Sequence, residues 1–468
     1  MGPIEELSSQ LGPGAVLRAG DGLTAGYATP ARGAPGPDVD VIRPRDTEEV
    51  CFVVRWACEH GVRLLPQGAN SGLVGASTPP PDATGLVVLS TERLRHGLQI
   101  DQTDRTAIVP AGLRLGELND AAGEFGLTFP IDLGADPSIG GMVATNTGGA
   151  RMLRHGDVRR RTLGVEAVLA DGAVSVLDTL RTHRKDNHGL DLTGLVVGSS
   201  GALGIVTRAA LDLAVRPADT ACAWIPIRRA SDAIVLLEYL ERRLDPLISA
   251  YEVVSAAALG AAAVAGQRLP LPPAPWAALV EVSGPRGCGE LLVDAAATAP
   301  VDTGDAVVLP TEQAWAPRPA VSEGLARLGA VLGHDVAVPR AELPALVDEV
   351  GAAVTSRWPD LLVADFGHWG DGGVHLNVVV PGTRGVDEHL EADVHDVVFA
   401  IAVEQHGGTF SAEHGVGPSN ASWWHRTVDP VEVKLTAALR ASCDPLGILG
   451  HPGLPYPRDE QGAGQVSE

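Results

Sequence analysis

The sequence has few cysteines, and their spacing excludes two classes of protein. The five cysteines, Cys51, Cys58, Cys222, Cys288 and Cys443, are odd in number, widely spread and without a C-x-x-C pair. Neither a disulfide framework nor an iron–sulfur cluster is therefore expected, and a reducing compartment fits this pattern. We expect a cytoplasmic protein.

Basic charge and long apolar runs are also scarce. The 468 residues contain 35 Lys and Arg against 58 Asp and Glu, a formal net charge of −23, so no general attraction to nucleic acid or anionic lipid is expected. The N-terminal stretch has no basic region followed by an apolar one, so no signal peptide is expected. The most apolar stretch, Ser255 to Gly266, is shorter than the ~20 residues that span a bilayer.

With 45% hydrophobic and 20% charged residues, the composition is that of a globular protein of about two or three domains. Asp46 and Glu49 have the spacing of a helix cap, and His60-Gly61 closes the predicted helix. From about residue 216 the predicted helices become longer and richer in Ala and Leu. We therefore predict a lead-in over 1–45, a first domain over 46–215 and a second over 216–468.

Three glycine-rich stretches lie beside predicted strands of the first domain. They are Pro66 to Gly75, Pro130 to Ala150 and Gly198 to Gly204. Glycine permits positive φ and close approach, and exposed backbone N–H groups bind anions, so three such loops suggest a long anionic ligand. No G-x-x-x-x-G-K-[ST] motif and no G-x-G-x-x-G motif after a first strand is present. Any one stretch alone could simply form turns.

The second domain carries a cluster of candidate metal ligands. His375 and Asn377 would share one face of a predicted strand, and the loop Gly370 to Gly373 could fold His368 back toward them. After a predicted helix over 387–406 come the adjacent Glu413 and His414, which a glycine turn could aim into one site. Two imidazoles and a carboxylate can bind catalytic zinc or a similar ion. We regard three further histidines, His389, His395 and His425, as ordinary surface or core residues.

The glycine-rich strings, in this order, resemble the PCMH-type FAD-binding domain of the vanillyl-alcohol-oxidase superfamily over about residues 40–215. The strings Gly367 to Asn377 and Ser411 to Gly417 resemble the C-terminal domain of FAD-linked D-2-hydroxy acid dehydrogenases, a group that includes D-2-hydroxyglutarate dehydrogenase, D-lactate dehydrogenase and the glycolate oxidase flavin subunit. The resemblance implies an α+β fold. It consists of a PCMH-type FAD-binding domain (46–215), an α+β substrate and metal domain with an antiparallel sheet (216–468), and a C-terminal segment that returns to the flavin.

The resemblance also implies which residues contact FAD. The histidine that links flavin covalently in some relatives is absent from Ala69-Asn70-Ser71, so noncovalent FAD is expected. Ser200 stands where the family usually has an acid. The implied FAD contacts are Pro66, Gln67, Gly68, Ala69, Asn70, Ser71, Gly72, Gly75, Pro130, Leu133, Gly134, Ala135, Ser138, Ile139, Gly140, Gly141, Ala144, Thr145, Asn146, Gly148, Gly149, Gly198, Gly201, Gly204, Ile205, Val206 and Asn377.

By the same resemblance, His368, His375 and Glu413 hold a divalent metal, with zinc as the first choice, and His414 is the catalytic base. The implied substrate contacts are Arg318, Ser322, Asn377 and His414. A metal chelated by the substrate would lower the pKa of its hydroxyl, His414 would remove that proton, and a hydride would pass to flavin N5. The expected activity is oxidation of a small D-2-hydroxy acid to a 2-oxo acid.

Two positions depart from the family pattern. Gly333 stands where a family motif often begins with Lys, so the substrate is expected to lack a distal carboxylate. Gly447 to Gly453 replaces the usual Asn-Pro-Gly, which leaves the last flavin contact open.

Three other functions remain open from the sequence: a flavin oxidase of the same fold that uses oxygen, a metallohydrolase, and an inert flavin-binding protein. The metallohydrolase would leave the glycine loops unexplained. The electron acceptor also stays open between an electron-transfer flavoprotein, a quinone, a cytochrome and oxygen, and a homodimer is compatible with the sequence.

Overall fold

The computed structural model describes residues 3–302, 304–383, 385–450 and 453–455, and the chain forms two compact units. Unit 1 contains Met1–Gly148, Asp157–Arg216 and His414–Glu468, and unit 2 contains Gly149–Gly156 and Pro217–Glu413. The chain therefore enters unit 2 twice and returns to unit 1 at His414. His451 and Pro452, part of the stretch that departs from the family pattern, lie outside the described residues.

Both units combine helices with sheets that are mainly antiparallel, which confirms the predicted α+β class. The α-helices are α1 (Pro3–Leu11), α2 (Ala25–Ala28), α3 (Thr47–His60), α4 (Leu115–Gly123), α5 (Ile139–Thr145), α6 (Met152–His155), α7 (Val158–Arg161), α8 (Leu192–Val196), α9 (Ala230–Leu244), α10 (Ala256–Val264), α11 (Cys288–Ala297), α12 (Thr311–Trp315), α13 (Pro317–Leu328), α14 (Leu343–Arg357), α15 (Glu388–Phe399), α16 (Gly417–Thr427) and α17 (Pro430–Cys443). A 3₁₀ turn spans Arg340–Glu342, and a π-helical segment, Ala400–Gln405, continues α15. No helix in the described ranges has both the length and the apolar character needed to cross a membrane.

The strands are β1 (Val16–Leu17), β2 (Val41–Ile42), β3 (Arg63–Gln67), β4 (Leu86–Ser90), β5 (Gln99–Asp101), β6 (Thr106–Pro110), β7 (Leu127–Thr128), β8 (Thr162–Val168), β9 (Val176–Asp178), β10 (Ile205–Asp212), β11 (Ala214–Val215), β12 (Asp219–Ile227), β13 (Ile248–Ser255), β14 (Trp276–Gly284), β15 (Val307–Leu309), β16 (Gly329–Ala337), β17 (Leu362–Gly367) and β18 (Gly373–Pro381). Unit 1 holds sheets of order β1-β2-β4-β3, β5-β6-β10-β8-β9 and β11-β7. Unit 2 holds one seven-stranded sheet of order β15-β12-β14-β13-β17-β18-β16, in which the strands pair antiparallel.

Helix α3 of unit 1 forms as its sequence predicts. The Asp46 side chain accepts a hydrogen bond from the Glu49 amide (2.9 Å), and Gly61 ends the helix in the left-handed conformation (φ 65°). The Glu49 carboxylate, however, accepts from the Arg45 amide (2.8 Å), one residue before the cap. The buried residues of α3, including Val50 and Val53, pack into the core of unit 1.

The C-terminal segment of unit 1 extends the four-stranded sheet beside β3. The Leu64 amide donates to Ile448 O and the Gly450 amide donates to Leu64 O, both at 2.8 Å. The fully buried Asp444 accepts hydrogen bonds from the amides of Ile448 and Leu449. This segment therefore lies next to the strand that leads into the first glycine loop.

The candidate metal ligand His375 and several buried acidic side chains lie on one face of the unit 2 sheet. Directly opposed residues of an antiparallel pair lie on the same face, and alternate residues along a strand share it. The register opposes Ala250 to Glu281, Val254 to Phe366, Phe366 to His375, His375 to Asp335 and Asn377 to Gly333. One face thus carries Glu281, Glu252, Phe366, His375, Asp335 and Asn377.

Candidate active site

The three glycine loops of unit 1 meet in space. A Cβ atom on Gly68 of the first loop would clash with Oγ of Ser138, the cap of α5 in the second loop. The Gly198 and Ser200 amides of the third loop donate to Val143 O (3.0 Å) and Ala144 O (2.7 Å) at the end of α5. Segments far apart in sequence therefore form one backbone-lined cradle, as a long ligand approached from several sides requires.

Two side chains of the first loop hold this loop against neighbouring segments of unit 1. Gln67 is 2% exposed, and its Nε2 donates to Ser77 O (2.6 Å) and Tyr27 O (2.9 Å). Asn70 adopts positive φ (52°), its Nδ2 donates to Thr29 O (2.9 Å), and its Oδ1 accepts from the Ser77 hydroxyl (2.9 Å). Any cofactor contact from these two residues would therefore use mainly the backbone.

The third loop contributes a side chain that the sequence did not single out. Ser199 is buried, and its Oγ has no hydrogen-bond partner within the described part of the chain. A buried hydroxyl without a partner is costly, so this atom fits a cofactor that supplies one. Together with the backbone cradle, it shows that unit 1 is suited to a bound FAD.

In unit 2 the turn between β17 and β18 folds His368 back over His375, as predicted. The amides of Asp371 and Gly373 both donate to His368 O at 3.1 Å, and Gly372 adopts positive φ (99°) where a Cβ would crowd Val338 O. The two Nε2 atoms lie 3.4 Å apart. Two imidazole nitrogens that face each other suit a cation placed between them.

Glu413 completes this cluster. Its Oε2 lies 3.8 Å from His368 Nε2, and ligand atoms of His368, His375 and Glu413 all lie within 4.8 Å of one another. The Glu413 amide donates to Asp335 Oδ2 at 2.8 Å, which fixes the backbone at Glu413. Two nitrogens and one carboxylate oxygen at this separation fit a divalent metal ion with open coordination positions.

A carboxylate lies behind each histidine of the cluster. His368 Nδ1 is 2.5 Å from Glu252 Oε1, and His375 Nδ1 is 3.4 Å from Asp335 Oδ1. Such pairs orient the imidazoles of metal sites and make them better ligands. The sequence reasoning missed both acids. A usable sequence signal for Glu252 was that it is the single charged residue of an otherwise uncharged strand. The structure shows that every residue of this strand is buried.

The protonation of the cluster reflects burial among like and unlike charges. Burial alone would lower the pKa of His368, but Glu252 and then Glu413 raise it to about 9. Burial lowers the pKa of His375 to about 4, with Asp335 opposing, and burial raises the pKa of Glu413 to about 7 although His368 opposes this. Protons on His368 and Glu413 are therefore available for exchange against a metal ion.

Arg318 lies next to this cluster, on α13. Its Nε forms an ion pair with Glu252 Oε2, and its guanidinium lies 4.3 Å from the centroid of the Phe366 ring. Burial alone would raise the pKa of Glu252, but the charges of Arg318 and His368 hold it well below its usual range. Ser322 lies one helical turn further on and is exposed, so its substrate contact stays a prediction.

Asn377 and His414 are the remaining predicted substrate contacts. Asn377 is buried, and its Nδ2 donates to His375 O (3.2 Å) and Ala364 O (3.3 Å), which leaves its Oδ1 as the group for a ligand. His414 is half-buried and begins the C-terminal part of unit 1. Its role as a base stays a prediction.

Comparison with known proteins shows the family. The protein-family model for the FAD binding domain matches residues 40–178. The protein-family model for the C-terminal domain of FAD linked oxidases matches residues 217–453. The chain is 33% identical over 423 residues to the mitochondrial D-2-hydroxyglutarate dehydrogenase of Rattus norvegicus, covering 87% of this chain and 76% of the relative. It is 32% identical over 467 residues to D-2-hydroxyglutarate dehydrogenase of Stutzerimonas stutzeri, covering 96% of this chain and 98% of the relative.

The fold comparison agrees with the expected PCMH-type architecture. A solved structure of alkyldihydroxyacetonephosphate synthase superposes with a TM-score of 0.72 at 16% identity, covering 95% of this chain and 83% of the other. At this identity the likeness concerns the fold alone, whereas the domain models and the relatives concern the family. The chain belongs to the FAD-linked oxidase family and is an FAD-dependent oxidoreductase that acts on a CH–OH group.

Proposed function

We propose that this chain is an FAD- and divalent-metal-dependent dehydrogenase that oxidises a small D-2-hydroxy acid to the 2-oxo acid. The observation that carries this proposal is the cluster of His368, His375 and Glu413, in which each histidine has a carboxylate behind it. A 2-hydroxy acid presents a carboxylate and a neighbouring hydroxyl, a pair that chelates a divalent ion through oxygen.

The cofactors supply the chemistry that side chains cannot. When bound, FAD accepts the hydride at N5, and a divalent ion, with zinc as our first choice, polarises the 2-hydroxyl as a Lewis acid. The glycine loops of unit 1 would hold the FAD noncovalently, because the first loop reads Ala69-Asn70-Ser71, without a linking histidine. His368, His375 and Glu413 would hold the metal.

The chain's own residues would bind, orient and deprotonate the substrate. Arg318 is proposed to bind the substrate carboxylate, because its Nε is paired with Glu252 and a guanidinium has further N–H groups for a second carboxylate. Asn377 is proposed to accept a hydrogen bond through Oδ1. His414, which follows the ligand Glu413 directly, is proposed to remove the hydroxyl proton, a role suited to an imidazole near neutral pH.

The substrate is proposed to be a monocarboxylate such as D-lactate or a larger apolar homologue. Gly333 lies directly opposite Asn377 on β16, at the position where the family motif often has lysine. A distal carboxylate would lack that cation. The relatives above are named for D-2-hydroxyglutarate, a dicarboxylate, so the proposed substrate differs from theirs in having no second carboxylate.

A panel of D-2-hydroxy acids, assayed with an artificial dye acceptor with and without a chelator, tests the proposal. We expect reduction of the dye with D- but not L-hydroxy acids, and loss of the reaction on chelation. Replacing the dye by oxygen separates a dehydrogenase from an oxidase, because an oxidase would turn over without the dye. Unchanged turnover in metal-free enzyme would exclude the metal-dependent mechanism.

A further inference from the structure

Glu252 joins two parts of the site that the sequence treats as separate. It lies on β13 and is fully buried, in a strand of which all eight residues are buried. Its Oε1 contacts His368 Nδ1 at 2.5 Å, and its Oε2 pairs with Arg318 Nε. One carboxylate therefore contacts both a proposed metal ligand and the proposed substrate clamp.

Each of these contacts fixes an orientation. The Glu252 carboxylate forms an ion pair with Nδ1 of the His368 ring, while Nε2 on the other side of the ring faces His375 Nε2 at 3.4 Å. The contact at Nε, together with the Phe366 ring at 4.3 Å, holds the guanidinium plane of Arg318. Because the two contacts use the two oxygens of a rigid carboxylate in a buried strand, His368 and Arg318 are held at a set separation.

We propose that Glu252 is a positioning residue that fixes His368 and Arg318 relative to each other, so that metal binding and substrate-carboxylate binding depend on one buried side chain. This inference rests on the proposed function, since it takes His368 as a ligand and Arg318 as the clamp. Its consequence is that loss of the Glu252 charge weakens both binding events, although Glu252 itself touches neither the metal nor the substrate.

Glu281 provides a matched control. It is also fully buried, lies on the neighbouring strand β14, and faces the same side of the sheet as Glu252. Its oxygens accept from Arg151 (2.7 and 2.9 Å), from the Ser249 hydroxyl (2.6 Å) and from Trp315 Nε1 (2.8 Å). It thus anchors Arg151 of the Gly149–Gly156 segment within unit 2. These hydrogen bonds involve neither a proposed metal ligand nor Arg318.

The experiment compares Glu252→Gln with Glu281→Gln in the full-length, FAD-loaded enzyme. Zinc affinity is measured by competition with a chromophoric chelator after metal removal, and kcat and KM are measured separately for a D-2-hydroxy acid. We expect Glu252→Gln to weaken zinc binding by about 10- to 100-fold, the usual effect of removing a carboxylate behind a metal-bound histidine. We also expect a raised KM in zinc-saturated enzyme, because Arg318 loses its partner.

The control separates positioning from general destabilisation. Glu281→Gln should lower the melting temperature but leave zinc affinity and KM near the wild-type values. Wild-type zinc affinity in Glu252→Gln, or an equal loss in both variants, would overturn the inference. Failure of the wild-type enzyme to bind zinc would overturn the metal site of the proposed function and the role of Glu252 with it. If Glu252→Gln does not fold, Glu252→Asp gives the same test, because its shorter side chain keeps the charge but cannot reach both partners.

Discussion

The substitution Gly333→Lys should shift the enzyme toward dicarboxylic substrates. Gly333 is half-buried on β16, one of the two edge strands of the unit 2 sheet, and it opposes Asn377. A side chain at this position would lie on the sheet face that carries His375 and Asn377. The lysines of the sequence are Lys185 and Lys434, both outside residues 217–413, so unit 2 has no lysine of its own to replace the missing cation.

The expected size of the shift in substrate preference follows from the free energy of one charge-assisted contact. A hydrogen bond to a charged group contributes about 1.5–3 kcal/mol, which corresponds to about tenfold to over a hundredfold in relative kcat/KM. We expect the wild-type enzyme to use D-lactate or an apolar homologue well against D-2-hydroxyglutarate. Gly333→Lys should move the ratio of the two kcat/KM values toward the dicarboxylate by up to that factor.

The assay measures both kcat/KM values with a dye acceptor for the wild-type enzyme, Gly333→Lys and Gly333→Met. Methionine fills similar space without charge, so it reports the steric effect of a side chain on this strand. An equal shift in the methionine variant would show that space rather than charge sets the preference. A wild-type preference for D-2-hydroxyglutarate of about a hundredfold would mean that another group replaces the lysine, and the reasoning would be wrong.

Four further predictions concern the cofactors, the base and pH. The purified protein should be yellow and should release its flavin to the supernatant on acid precipitation; flavin retained in the pellet would contradict noncovalent binding. Chelation should abolish turnover but leave the flavin bound, and zinc, manganese or cobalt should restore activity, because a two-nitrogen, one-oxygen site accepts several divalent ions. His414→Ala should slow flavin reduction by about 10²–10⁴-fold in stopped-flow measurements, with metal content near normal because Glu413, not His414, is the proposed ligand; loss of metal with fast reduction would reverse the two roles. His406 contacts Glu342 (3.0 Å) and Glu349 (3.1 Å). Although burial opposes it, these two acids raise the pKa of His406, so the stability it adds is present below the ordinary histidine pKa and is lost as pH rises through the raised value. The difference in unfolding midpoint between wild type and His406→Gln should shrink as the pH rises above the ordinary histidine pKa of about 6.5, and a constant difference would refute this assignment.

Local signals in the sequence predicted the local structure well. The Asp46 cap and Gly61 end of α3 and the turn that folds His368 over His375 follow from residues close in sequence. The helix predicted over 387–406 is also present, as α15 and the π-helical Ala400–Gln405. In each case the backbone preference and the apolar spacing of a short segment are sufficient.

Features that depend on long-range register were not predicted. Asp335 reaches His375 only because β16 pairs with β18, and Glu252 reaches His368 only because β13 pairs with β17. The role of the Gly149–Gly156 segment depends likewise on Arg151 meeting Glu281, 130 residues later. No local pattern encodes such pairings, so a single sequence shows the acids but not what they contact.

The charges of the site explain why so many acids are buried together. Glu252, Asp335 and Glu413 are three carboxyl groups around two histidines, and among the described residues Arg318 is the permanent cation that pairs with one of them. Buried carboxylates without compensating charge are costly. Burial lowers the pKa of His368, but Glu252 and Glu413 raise it to about 9, and burial raises the pKa of Glu413 to about 7, so both groups can hold a proton near neutral pH. A divalent ion bound by neutral imidazoles would supply the missing positive charge and release those protons. The acids that the sequence left unexplained are therefore the residues that make a buried site suitable for a doubly charged ion.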